Sequence, residues 1–142
     1  MKKTLSYFLY TMLVACIVCA CNDRLDIIQD YGYSVETLPL PKKIKQGETI
    51  DLEFSIVREG FYTGASYKFR YFQSEGEGLL SYKGNNVPMN RFQNIDCDNF
   101  VLMYEAKCEG QQVLDFVFED SFGKKVEYSI AFSGEKTEKE TE

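Results

Sequence analysis

The chain has 142 residues, 16 Lys and Arg against 22 Asp and Glu, no His and no Trp, and a formal net charge of −6. That acidity argues against direct nucleic-acid binding, which needs a basic footprint. The absence of His removes His-based triads, His metal ligands and the commonest general base at neutral pH. Its length suits one domain, and 15% aromatic residues supply the apolar area for a core.

Met1, Lys2 and Lys3 form a short basic head, and Leu5 to Ala20 is uncharged and apolar apart from Ser6, Thr11 and tyrosines. Such a run falls short of the ~20 residues that cross a bilayer as a helix and ends on a small residue, as signal peptides do. Val18-Cys19-Ala20-Cys21 has the lipobox order of bacterial lipoproteins: aliphatic, tolerant, small, cysteine. The resemblance implies cleavage after residue 20 and a lipidated Cys21. Leu13-Val14-Ala15-Cys16 has the same order, but cleavage there would leave Ile17 to Ala20 as an apolar head, so Cys21 is preferred. The competing reading is a plain secretory peptide with incidental cysteines. A thioether-linked lipid joined by a second acyl chain anchors stably where one chain does not. The expected location is the cell envelope, with the chain lipid-anchored at the outer membrane.

Loss of Lys2 and Lys3 with residues 1–20 takes the formal charge from −6 to −8. Cys21, Cys97 and Cys108 remain. Asn99 to Lys107 reads as a strand, which would hold Cys97 and Cys108 ~30 Å apart, whereas a disulfide needs Cα atoms within about 7 Å. Free thiols are expected, with Cys108 buried as a small hydrophobe.

Residues 21–32 are polar and predict a lipidated tether that could reach ~35 Å when extended. From 33 to 132 the pattern has period two: Tyr33 and Val35; Ile50, Leu52, Phe54 and Ile56; Tyr67, Phe69 and Tyr71; Leu79 to Tyr82; Phe100, Leu102 and Tyr104; Leu114, Phe116 and Phe118; Val126, Tyr128, Ile130 and Phe132. Period two means strands. About seven short strands with turn signals between them predict an all-β, immunoglobulin-like sandwich. The usual Cys-Trp-Cys set is missing. Residues 133–142, Lys, Glu and Thr with no large apolar side chain, predict a disordered charged tail.

Few groups point to chemistry. Glu119-Asp120 is a carboxylate pair that a hydrolase could use, but acids before a turn glycine usually satisfy backbone donors. Asp96 and Asp98 offer hard oxygens at alternate positions, a fragment of a calcium site without companion ligands. No metal, cofactor or catalytic residue is expected. Binding surfaces are the better prospect. On the strand at 65–73, Phe72 shares the outward face with Lys68 and Arg70. If that strand neighbours 113–119, Val117 joins them inside a rim that includes Asp115 and Glu119, an apolar centre with a charged edge suited to a protein partner. A second candidate is a loop surface of Phe61, Tyr62 and Phe92, where aromatics could stack on a glycan.

The segments "CNDRLDIIQDYGYSVETLPLPKKIKQGE", "YKFRYFQSEGEG" and "FEDSFGKK" resemble the TraQ-type lipoproteins carried by conjugative transposons of Bacteroides and relatives. The resemblance spans nearly the whole chain, although Cys97 stands outside the pattern. It implies an immunoglobulin-like fold, a role in conjugal DNA transfer and partners among other conjugation-apparatus proteins. It carries no active residues over. The expected function is a non-catalytic, membrane-anchored accessory of the transfer apparatus, with a surface glycan- or adhesin-like module as the alternative.

Overall fold

The computed structural model describes residues 1, 3–7, 31–60 and 63–135. Cys21, the lipobox, most of the tether, Phe61, Tyr62 and residues 136–142 lie outside the described residues.

Ten strands are described: β1 (Tyr33–Thr37), β2 (Lys43–Lys45), β3 (Thr49–Arg58), β4 (Tyr67–Glu75), β5 (Gly78–Tyr82), β6 (Asn85–Asn86), β7 (Gln93–Ile95), β8 (Asn99–Ala106), β9 (Gln112–Asp120) and β10 (Lys125–Glu135). They form two five-stranded sheets, ordered β1-β3-β8-β5-β6 and β2-β10-β9-β4-β7. Seven strands have five residues or more, and the other three, β2, β6 and β7, are short edge additions. Lettered A to G in chain order, the seven give A-B-E-D in one sheet and C-F-G in the other, the immunoglobulin arrangement. The sandwich expected from the alternation is therefore the fold.

Alternation divides each strand between core and solvent. On β3, Ile50, Leu52, Phe54 and Ile56 are buried while Thr49, Asp51 and Glu53 are exposed. Phe54 sits where the sheets meet, its ring 5.5 Å from Phe100, 5.1 Å from Phe116 and 5.4 Å from Phe118. Fully burying one such ring stabilises the fold by about 1.5–3 kcal/mol. This aromatic cluster occupies the middle of a sandwich that lacks the Trp and inter-sheet disulfide of antibody domains. Tyr33 ties the sheets together from β1, its hydroxyl donating to the carbonyls of Phe118 and Lys124, each at 3.0 Å. Between β1 and β2 the chain changes sheets through Pro39 and Pro41, residues that cannot donate to a ladder.

The last strand runs past the boundary at 132 that the alternation suggests. β10 continues through Glu135 because Ser133, Gly134 and Glu135 pair in parallel with β2, and Ser133 N–H donates to the Lys42 carbonyl at 2.8 Å. Gly134 lies so close to the Glu109 carbonyl that no Cβ fits there. A glycine followed by charged residues resembles a disordered tail in one dimension; the pairing that orders it is non-local.

Candidate functional site

β4 neighbours β9 antiparallel, with Lys68 opposite Glu119, Arg70 opposite Val117 and Phe72 opposite Asp115. Tyr67, Phe69 and Tyr71 point inward, so Lys68, Arg70, Phe72 and Val117 share the outer face, each half-buried. The sequence-predicted patch is thus assembled as its spacing requires.

Phe92 joins it. The chain turns at Asn90, whose φ of 55° is left-handed, a conformation that Asn tolerates better than most residues. The Phe92 ring then lies 4.5 Å from Lys68 Nζ and 4.9 Å from Arg70 Cζ. Arg70 Cζ is also 5.4 Å from the Phe72 ring, which places the guanidinium against two aromatic rings. Cation–π contacts of this kind contribute about 0.5–2 kcal/mol each, depending on exposure. Arg70 Nη1 donates to Asn90 Oδ1 at 3.1 Å, while its Nε is buried without an acceptor among the described residues. Phe92, expected on a loop surface with Phe61 and Tyr62, thus packs against the β4 patch, while Phe61 and Tyr62 lie outside the described residues. Asn90 was the signal for this turn, but nothing in the spacing said which sheet the loop would cross.

Acids surround the apolar centre. Lys68 Nζ meets Glu119 Oε1 at 3.0 Å, and Lys125 Nζ reaches Glu119 Oε2 at 3.7 Å. The hydrogen bond from Lys68, above all, holds the Glu119 carboxyl below its usual range. Asp115 accepts from the hydroxyls of Ser129 and Ser74, which lower its pKa in the same way. Beside Phe72, a shallow concavity of about 380 Å³ is lined by Asp115, Val117, Glu127, Tyr128 and Ser129.

The other candidates separate. Asp120 is buried, and its Oδ1 accepts the N–H groups of Phe122 at 2.9 Å and Lys124 at 2.8 Å, which closes the β9–β10 turn. Glu119 pairs with Lys68 and Asp120 closes the turn, and both border a concavity of about 340 Å³ with Ser66, Asn94 and Ser121. Asp96 pairs with Lys83 and Asp98 with Arg58. No group of three or more His, Cys, Asp or Glu among the described residues is placed to hold a metal ion.

Cys97 and Cys108 are free thiols at opposite ends of β8. Cys97 is exposed, and Cys108 is half-buried and polar in its contacts, not sealed in the core as expected. Its Sγ accepts from Gln112 Nε2 at 2.9 Å and from Glu77 N–H at 3.3 Å. Gln112 is wholly buried and also accepts from Tyr104 at 2.6 Å and from Gln73 Nε2 at 3.2 Å. An amide donating to the thiol and to the Cys108 and Gly110 carbonyls while accepting from two other side chains is satisfied in the interior. Polar residues in an alternating pattern gave no hint of this network.

The family relationship follows from comparison. Residues 4–135 match the family described as TraQ conjugal transfer protein. The chain belongs to that family. The TraQ-family sandwich is similar to the crystal structure of a conjugative transposon lipoprotein from Bacteroides eggerthii, with 32% identity, 70% of this chain and 95% of that chain covered, and a TM-score of 0.67. It is also similar to a lipoprotein from Bacteroides thetaiotaomicron, at 35% identity, 82% and 90% coverage and TM-score 0.68. A conjugate transposon protein from Bacteroides vulgatus aligns at 29% identity, 84% and 98% coverage and TM-score 0.66. No curated protein matches the chain. TraQ membership places it in conjugal transfer, and the resemblance carried by the tether, Arg-Tyr-Phe strand and Phe-Gly turn is the same family.

Proposed function

We propose that this TraQ-family chain is a non-catalytic accessory of a conjugative transfer apparatus, held in the cell envelope by a lipid on Cys21 and docking other transfer proteins through the outer face of β4 and β9. The observation that carries the docking face is Arg70 held against Phe72 and Phe92, an amphipathic platform beside Val117. Aromatic and Arg side chains are enriched where proteins meet, and a polar rim around an apolar centre is the usual anatomy of such contacts. The lipobox order of Val18 to Cys21 supports the anchor, as do the related lipoproteins of Bacteroides eggerthii and Bacteroides thetaiotaomicron. The charge of −8 after processing favours proteins over DNA as partners.

The test is a crosslinking pull-down from cells carrying the whole element, with transfer frequency scored in parallel. Wild type should capture other transfer proteins, and both capture and transfer should fall in Cys21→Ala and in the double variant Phe72→Ala, Phe92→Ala. Normal capture and transfer in the double variant would remove the platform from the mechanism, and normal transfer in Cys21→Ala would remove the anchor.

A further inference from the structure

The opposite face of the sandwich has a different chemistry. Alternation sends Asp51 and Glu53 of β3, Val101 and Met103 of β8 and Leu79 of β5 outward. Register sets Met103 between Asp51 and Ser81 and puts Glu53 beside Val101. Outward positions on a solvated antiparallel sheet are ordinarily polar, yet Leu79, Val101 and Met103 are 45%, 45% and 47% exposed on adjoining strands. Val101 and Met103 line a groove of about 400 Å³ with Asp51, Ser81, Lys83 and Cys97 around it.

The charges beside this stripe are one-sided. Asp51 and Glu53 have no ion pair among the described residues, Glu105 is taken by Lys107, and Lys83, at the end of the groove, is taken by Asp96. The platform on the other sheet contrasts with it, because Lys68 and Lys125 there sit on Glu119. An apolar stripe edged by unmatched carboxylates complements a surface of opposite charge.

We propose that this face is a second docking surface, for a cationic segment of a protein partner whose apolar side chains enter the groove at Val101 and Met103 while its Lys or Arg residues meet Asp51 and Glu53. A second copy offering the same face would set carboxylates against carboxylates, which disfavours pairing. Residues 22–32 and 136–142 each carry more acids than bases, so the chain's own ends are poor occupants. Because the surface lies on the other sheet, the sandwich holds two partners on opposite sides.

The test uses the full lipidated chain in non-ionic micelles and three labelled nine-residue peptides as probes: alternating Lys and Leu, alternating Lys and Ser, and alternating Glu and Leu. Fluorescence anisotropy should show the Lys-Leu peptide binding at least about tenfold more tightly than the other two, a gap worth about 1.4 kcal/mol. The double variant Asp51→Lys, Glu53→Lys and, separately, Met103→Ser and Val101→Ser should each weaken it about tenfold, with Phe72→Ala unchanged. Equal binding of the Lys-Ser peptide, full affinity in the sheet-face variants, a loss in Phe72→Ala instead, or sedimentation showing two copies joined through Met103 would overturn the proposal. Transfer frequency in platform variants is a separate readout, so failure of one docking face is distinguishable from failure of the other.

Discussion

The Tyr104 hydroxyl donates a 2.6 Å hydrogen bond to Oε1 of Gln112, and both side chains are completely buried. The pair joins β8 to β9, strands of opposite sheets, at the end of the core where Cys108 leaves β8. Tyr104→Phe keeps the ring but removes one bond from a buried amide, so a loss of about 1–2 kcal/mol is expected, read from the urea midpoint. Gln112→Leu should cost more, since it removes the acceptor of two donors and the donor to Cys108 at once.

Tyr104 and Tyr33 also govern stability in alkali. Burial, chiefly, pushes the Tyr104 pKa from 10.0 to about 12, and burial followed by the charge of Asp120 pushes Tyr33 up as well. The folded state holds these protons more tightly than the unfolded chain. The tyrosines' contribution to stability is therefore full below pH 10.0 and falls as pH rises towards about 12, by about 1.4 kcal/mol per pH unit for each tyrosine that titrates only when unfolded. Urea midpoints should hold from neutrality to about pH 10 and decline from there to about pH 11, and Tyr33→Phe should flatten the decline. A constant midpoint across that range would contradict the buried-phenol account.

Cys108 should be the more acidic kind of thiol. The hydrogen bond from the Gln112 side chain, then that from the Gly110 backbone, holds its pKa below 9.0. In a Cys97→Ser background, alkylation of the Cys108 peptide followed by mass spectrometry should rise with a midpoint below that value. Gln112→Ala should move the midpoint upward.

Two glycines should rank by what a methyl group would meet. Gly134→Ala forces a Cβ onto the Glu109 carbonyl, a backbone atom that cannot rotate away. Gly84→Ala meets open space and bears only the strain of a φ of 78°. The second should cost about 1–2 kcal/mol and the first more, with amide exchange accelerating first along β2 and the end of β10.

The platform's charges can be read individually. In Lys68→Ala, an NMR titration should find the Glu119 carboxyl moving up towards 4.5, because its principal hydrogen bond is gone. Phe92→Ala removes a ring that is 37% exposed, so the fold should lose less than the 3–5 kcal/mol typical of a buried Phe. Thermal melts would check that any effect on transfer arises from the surface and not from unfolding.

Period two determined most of what can be said without coordinates. Side chains alternate across a strand whatever its neighbours, so Phe54, Phe69, Phe116 and Phe118 were assignable to the core and Lys68, Arg70 and Phe72 to one outer face from spacing alone. The lipobox order and the family segments were equally local. The tertiary structure decided what depends on residues far apart in the chain. Only the pairing of β2 with β10 ordered Ser133 to Glu135, and only the path of the loop through Asn90 brought Phe92 over Lys68 and Arg70. The exposed stripe of Leu79, Val101 and Met103 needed the β5–β8 register before three separate apolar residues became one surface. A strand's periodicity states which side a residue faces, but which strand lies beside it is set by long-range pairing, and surfaces are made of neighbours.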